Sequence, residues 1–245
     1  MKHITGSMNK IKFLFLSVFF QIMFVGARSQ ILQDAIKIIN PSQGGLTEQD
    51  AAGGIREALI KGTDESVALV SKTNGYFLNP EIKIPFPEDA RIIELKLRII
   101  GFGNQVDEVI LTMNRAAEDA AKSAQPIFVS AIKSMDLSDA LQIVRGPDDA
   151  ATRYLSRTTT PELKAKFSPV IEASLDKVEA TRLWAELINM YNQIPFITRQ
   201  NPDLTDYVTE KAIGGLFILI AKEEVQIRKN PTARTSELLK KVFGQ

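Results

Sequence analysis

Two short stretches hold the residue types from which chemistry could be built. In "MNRAAEDAA", residues 113–121, helical spacing puts Asn114 and Glu118 on one face and sets Arg115 to pair with Asp119 on the next. Alanines at 116, 117, 120 and 121 let neighbouring helices come close, so partial burial of these polar groups is expected. A buried carboxyl with imperfect pairing has a raised pKa, which suits a general acid, and Glu118 is the one weak candidate for a catalytic residue. A structural ion-pair network explains the same residues without turnover. In "GPDDAATRY", residues 146–154, Asp148 and Asp149 stand behind a Gly-Pro pair and ahead of Arg153 and Tyr154. Gly146 is placed to end one helix in a left-handed conformation and Pro147 to open the next, where acids in the first turn complement the helix dipole. Asp149 precedes Arg153 by four residues, the favourable order for a helical ion pair. Helix initiation therefore accounts for both acids.

A third stretch, "NGYFLNP", sets Tyr76 and Phe77 among turn residues. It suits ligand contact, and it suits better a loop pinned to the core by its two rings. The ligand-binding candidates are thus Asn114, Arg115, Glu118, Arg153, Tyr154, Tyr76 and Phe77. An arginine pair in a partly buried groove selects a small anionic or sugar-like ligand. Phosphate-loop chemistry fails, because "GGIRE" and "GFGNQ" lack the Lys-Ser/Thr pair or the strand context it needs. No calcium loop of the D-x-D-x-D-G kind is present. Neither a metal site nor a cofactor is expected.

The N-terminus reads as an address. Lys10 and Lys12 precede the apolar run "FLFLSVFFQIMFV", residues 13–25, and small residues lead to a cleavage point near Ser29/Gln30. The expected organisation is a signal peptide over 1–29, a linker or flexible arm over 30–46 and a helical domain over 47–245; Met1 and Met8 both remain possible starts. Removing Lys2, Lys10, Lys12 and Arg28 takes the 30 basic residues to 26 against 29 acidic, a formal balance of −3. Such a surface has no electrostatic footprint for nucleic acid. The cut also removes His3, the only histidine, from a chain with no cysteine. That excludes thiol nucleophiles, Ser-His-Asp triads, Cys/His zinc sites and disulfides from the mature chain.

The elements that position these residues are helical almost throughout. The expected helices cover 47–70, 88–100, 104–121, 124–134, 136–144, 147–157, 161–192 and 205–229, with a short closing helix in "TARTSELLKKVFG". Ser168-Pro169 is expected to open or kink a helix. Between the first two lies "KTNGYFLNPEIKIPFP", residues 72–87, where three prolines keep the alternating "EIKI" from being a central strand. A long ordered loop is expected there, and such loops are often functional. "AIGGLFILIA", residues 212–221, is apolar on every side and too short to span a bilayer, so it reads as a central helix wrapped by others. Gly214 and Gly215 within it suggest close approach of a neighbouring helix.

Six blocks taken in order, "KTNGYFLNPEIKIPFP", "LTMNRAAEDAA", "PIFVSAIKSM", "GPDDAATRYL", "YVTEKAIGGLF" and "ARTSELLKKVFG", resemble a family of secreted bacterial proteins known as domain-of-unknown-function family number 4197. The likeness covers roughly residues 46–244. The resemblance implies an all-helical domain exported to the Gram-negative cell envelope. A lipoprotein cysteine belongs to the family's pattern, and this chain lacks one, so direct lipid anchoring is not expected. The family brings no catalytic residues.

The expected fold class is therefore all-α, a single multi-helix bundle-like domain with a long Pro/Gly-rich loop after the first helix. The expected role is an exported binding or interaction module of the periplasm. Its partner would be an envelope protein or a small anionic ligand, with no transmembrane segment in the mature chain. Two alternatives stand beside it: a carboxylate-dependent envelope glycan hydrolase or lyase with Glu118 as acid, and a structural oligomer with a broad apolar patch. A Glu118 lining an open cleft favours the enzyme; a Glu118 paired and sealed favours the scaffold.

Overall fold

The computed structural model describes residues 47–99, 101–177, 180–193, 195–196, 199, 203–230 and 232. Among the described residues eight α-helices follow one another: α1 Glu48–Val70, α2 Arg91–Ile99, α3 Gly103–Ala121, α4 Ala124–Ser134, α5 Leu137–Arg145, α6 Ala150–Asp176, α7 Ala180–Asn192 and α8 Leu204–Lys229. A 3-10 turn, Glu88–Ala90, leads into α2. No strand occurs among the described residues, so the fold is all-α as expected. Residues 1–48 and 49–245 form separate units, and all but two of the described residues belong to the second. The signal peptide, the arm and the closing helix expected in "TARTSELLKKVFG" lie outside the described residues, Thr232 apart.

The core is organised around α6. Its buried residues are Ala151, Thr152, Leu155, Thr159, Leu163, Phe167, Ile171 and Leu175; all but Thr152 follow one another at intervals of four. At 100° per residue each such step turns the stripe by roughly 40°, so six steps carry it about 240° around the helix axis. A helix with that pattern cannot lie against one neighbour alone. It packs most extensively on α8 and α3, and also touches α4, α5 and α7.

The same continuity corrects the helix break expected at residues 158–160. Thr158, Thr159 and Thr160 donate their hydroxyls to the carbonyls of Tyr154, Leu155 and Ser156 at 2.9, 2.6 and 2.6 Å. They bond back into the preceding turn rather than cap a new helix. Pro161 and Pro169 both sit inside α6. Each removes a donor and crowds the preceding turn, at a cost of about 3 kcal/mol in a helix interior. Both prolines are exposed, as are Arg157 and Ala165, whose carbonyls lose their partners, so water can satisfy those oxygens. Burial of the stripe on five neighbours outweighs the local penalty.

The segment 71–87 between α1 and the 3-10 turn is the long non-helical loop expected there. Its alternation is realised without a strand: Ile82 and Ile84 are buried while Glu81 and Lys83 are exposed. Tyr76 is fully buried, and Phe86 meets Trp184 of α7 edge-to-face with ring centroids 5.3 Å apart. Gly75 is required by close approach, since a Cβ there would lie 2.5 Å from the Val70 carbonyl oxygen.

Helix α8 departs from expectation in two respects. Gly214 and Ile218 are exposed, so its apolar stretch is open along one side rather than wrapped all round. At Gly215 the close neighbour is the loop and not a helix: a Cβ would stand 3.0 Å from Tyr76 Cε1 and 3.1 Å from Ile82 Cβ. The two adjacent glycines therefore separate by experiment. Gly214→Ala, with nothing within 4 Å of the new Cβ, should stabilise the protein by roughly 0.5–1 kcal/mol through helix propensity. Gly215→Ala should destabilise it by about 1–2 kcal/mol, because overpacking outweighs that gain. Urea unfolding midpoints of the two variants check the opposite signs.

Candidate functional site

The polar residues of α3 converge on the loop. Glu118 is only 4% exposed. Its Oε1 accepts the backbone N–H groups of Tyr76 and Phe77 at 3.1 and 3.2 Å, and its Oε2 accepts Arg115 Nη1 at 2.6 Å. Arg115 also donates from Nη2 to Asn74 Oδ1 at 2.7 Å, which holds Asn74 in a left-handed conformation, φ 70°. Arg115 thus pairs with Glu118 and not with Asp119, which takes Lys122 instead. Asn114, fully buried, plays the part of an adjoining strand: Oδ1 accepts the Ile84 N–H at 2.9 Å while Nδ2 donates to the Ile84 and Ile110 carbonyls at 2.8 and 2.7 Å. The Tyr76 hydroxyl donates to the Ala212 carbonyl on α8 at 2.7 Å. Phe77 stays half-buried, with Lys83 Nζ 4.4 Å and the Arg115 guanidinium 5.8 Å from its ring centroid. Asn114, Arg115, Glu118, Tyr76 and Phe77 are therefore one cluster, and Glu118 in it is paired and sealed.

Held from behind in this way, the loop turns its outer side to α8. Between residues 81–85 and the Glu210–Ile218 stretch lies an open groove of about 460 Å³. Gly214 and Gly215 line it, together with Ile218, Pro85, Lys83 and Lys211. Its two acids are already committed, Glu81 to Lys222 and Glu210 to Lys164 at 2.7 Å. Lys83 and Lys211 have no carboxylate within ion-pair distance among the described residues. Lys211 instead lies 5.7 Å from the centroid of the Tyr207 ring. Neither lysine stood out in the sequence, because the spacing of 128 positions between them carries no local signal.

Arg153 and Tyr154 belong elsewhere. They line a second groove of about 330 Å³ with Asp139, Gly146, Pro147 and Arg157. Arg153 Nε meets Asp149 Oδ2 at 2.8 Å, the i,i+4 pair read from the spacing. No hydrogen bond or ion pair among the described residues links this group to the Glu118 cluster. Gly146 is extended, φ −79°, not left-handed; it is needed because a Cβ would come within 2.6 Å of Ala150 Cβ. Asp149 precedes α6 without a side-chain cap bond, and Asp148 pairs with Lys229 at 2.5 Å. The start of α6 is capped from α8 instead. Glu224 accepts Ala151 N–H at 3.0 Å, Thr152 N–H at 2.9 Å and the Thr152 hydroxyl at 2.8 Å. Arg228 neutralises it at 2.8 Å and reaches on to the Ile143 carbonyl. The i,i+4 spacing of Glu224 and Arg228 was visible in the sequence, but its target lies more than 70 residues away.

Burial raises the phenol pKa of three tyrosines. Tyr76 is pushed up furthest, by burial and then by the Glu118 charge. Tyr207, whose hydroxyl donates to the Pro85 carbonyl beside the first groove, is pushed up to about 12 by burial and then by Glu88. Tyr154 is raised by burial, then by Asp139 and Asp136.

A family model described as a protein of unknown function, DUF4197, matches residues 45–244. No curated protein and no solved structure matches the chain.

Two outcomes test this geometry. Glu118→Ala strands Arg115 and two loop N–H groups and should cost roughly 2–4 kcal/mol, with new protease cleavage inside residues 71–87. Glu118→Gln keeps an acceptor for both N–H groups and should cost about half as much. Urea unfolding with limited proteolysis reads both. The second outcome concerns alkaline pH. Tyr207 holds its proton more tightly when folded than the ordinary phenol near pH 10. Its contribution is complete below about pH 10 and is lost as the pH rises towards about 12. Absorbance titration at 295 nm should show one fewer late-ionising phenol in Tyr207→Phe, with Tyr76 still late.

Proposed function

The chain belongs to the DUF4197 family of proteins of unknown function, and from that premise we propose that it is an exported, non-enzymatic binding module of the cell envelope. Its ligand is a small anionic, sugar-like molecule held in the groove between residues 81–85 and α8. The observation that carries this reading is the sealed state of Glu118: the carboxylate best placed for acid catalysis spends Oε1 on two N–H groups of the loop that forms one wall of the groove, and Oε2 on Arg115 of its own helix. A group so engaged and so buried positions a binding wall.

The chemistry of the groove supports an anion. With Glu81 and Glu210 neutralised by lysines, the charge left uncommitted is that of Lys83 and Lys211. Gly214 presents bare helix backbone at the groove, and exposed Ile218 supplies an apolar surface for a sugar face. A partly solvated lysine pair gives modest, salt-sensitive affinity. Export, by the leader over residues 1–29, would place this groove in the periplasm.

The test is calorimetric titration with carboxylated sugars, hexuronic acids and N-acetylmuramic acid, beside their neutral counterparts. The acidic sugars should bind and the neutral ones should not. Lys83→Glu combined with Lys211→Glu should weaken binding at least about tenfold while leaving the unfolding midpoint unchanged, both side chains being exposed. Equal binding by the double variant, or no preference for the acidic sugars, overturns the assignment. Appearance of the protein outside the periplasmic fraction overturns the location.

A further inference from the structure

The short helix α2 carries two apolar stripes, and the fold uses only one. Ile93 and Leu97 turn inward and pack on the core. Ile92, Leu95 and Ile99 lie on the other side, 58%, 54% and 83% exposed, and Phe102 beyond the Gly101 turn is 48% exposed. No residue of α2 is fully buried. At 100° per residue the inward pair lies roughly opposite the outward three, so core packing gives no account of the second stripe. Three large apolar side chains exposed along one helix face mark an interaction site.

The charges around the stripe are arranged by sign. Lys96 flanks it on one side, about 40° from Ile92, and Arg91 flanks it on the other, about 100° away. Glu94 lies towards the core side and is held by Arg98 at 2.9 Å, and Arg98 also takes Asp107 at 2.8 Å. Along α2 the stripe is therefore apolar in the middle with a basic residue at each edge, and Glu94 and Asp107 are neutralised; the exposed acid Glu88 stands just ahead of the helix.

We propose that this face of α2 docks on an anionic lipid surface. A second copy of the chain fits poorly: the stripe from Ile92 to Ile99 is only about 10 Å long, far short of the roughly 800 Å² per partner of a stable interface. Pairing two such helices would also set Arg91 and Lys96 against their own copies. An acidic helix of another protein meets the same shortage of area. A bilayer needs no matching shape. It accepts a few apolar side chains at the depth of the headgroups, while lysine and arginine at the edges meet lipid phosphates. No helix among the described residues is long and apolar enough to cross a membrane, so the association is peripheral and reversible.

The chain has no cysteine, so Leu95→Cys labels a single site with an environment-sensitive dye. The full chain so labelled is mixed with vesicles of equimolar phosphatidylglycerol and phosphatidylcholine, or of phosphatidylcholine alone. A second chain labelled at Glu172→Cys, exposed on α6, serves as reference, and circular dichroism verifies the fold of each. Emission at position 95 should shift to the blue and rise severalfold with the anionic vesicles only, while position 172 stays unchanged. Adding Arg91→Glu and Lys96→Glu should raise the lipid concentration required roughly tenfold or more. Water-like emission at 95 with every vesicle overturns the proposal, as do equal shifts at 95 and 172, which assign binding to another part of the chain. A shift in buffer alone that grows with protein concentration also overturns it, and assigns the face to a second copy.

Discussion

A carboxylate taken out of water must be given hydrogen bonds and a counter-charge, and in this fold that requirement ties together segments far apart in the chain. Glu118 and Glu224 are both buried. Each accepts two successive backbone N–H groups from a distant segment, and each is neutralised by an arginine three or four residues along its own helix. In one case the segment is Tyr76–Phe77 of the 71–87 loop; in the other it is the first turn of α6. Removing either acid would leave an arginine without its counter-charge and a pair of N–H groups without their acceptor, which is why such pairs are costly to break even when they add little net stability. In a chain without cysteine they supply what disulfides provide elsewhere, a fixed link between remote pieces of backbone.

The helices these links join are packed by shape more than by amphipathic pattern. Helix α6 rotates its buried face along its length and so needs neighbours on several sides. Helix α3 answers with Ala116, Ala117, Ala120 and Ala121, all fully buried, which bring its backbone close. Gly215 does the same for α8, letting Tyr76 and Ile82 of the loop lie against it. The loop is thus part of the core on one side and a groove wall on the other. Rigid placement of this kind lets a segment without regular secondary structure form a binding surface.

A division of labour between the charges follows. The buried acids serve the backbone, and Glu81 and Glu210 are occupied by lysines at the rim of the groove. The bases at the two surfaces, Lys83 and Lys211 in the groove and Arg91 and Lys96 beside the stripe on α2, have no carboxylate within ion-pair distance among the described residues. A chain nearly neutral by formal count can therefore offer local positive surfaces, because Glu81, Glu210, Glu94 and Asp107 beside these bases are held by other lysines and arginines.

The all-helical class, most helix boundaries and the ordered loop were legible in the sequence, because they follow from the 3.6-residue period and from proline and glycine chemistry. The Asp149–Arg153 pair was legible for the same reason. So was the polar character of Asn114, Arg115 and Glu118 within an alanine-rich helix, though Arg115 chose Glu118 over the expected Asp119. Tertiary structure decided the rest. Thr158–Pro161 carries the composition of a helix start, yet burial of α6 on five neighbours runs the helix through it. Gly146 had the look of a left-handed terminator and is instead a point of close contact. The cap of α6 comes from Glu224, and the groove joins Lys83 to Lys211. Local spacing dictates which residues share a face, since a helix repeats the same geometry everywhere. Which faces meet depends on how the whole set of buried surfaces closes upon itself, and no short window of residues contains that.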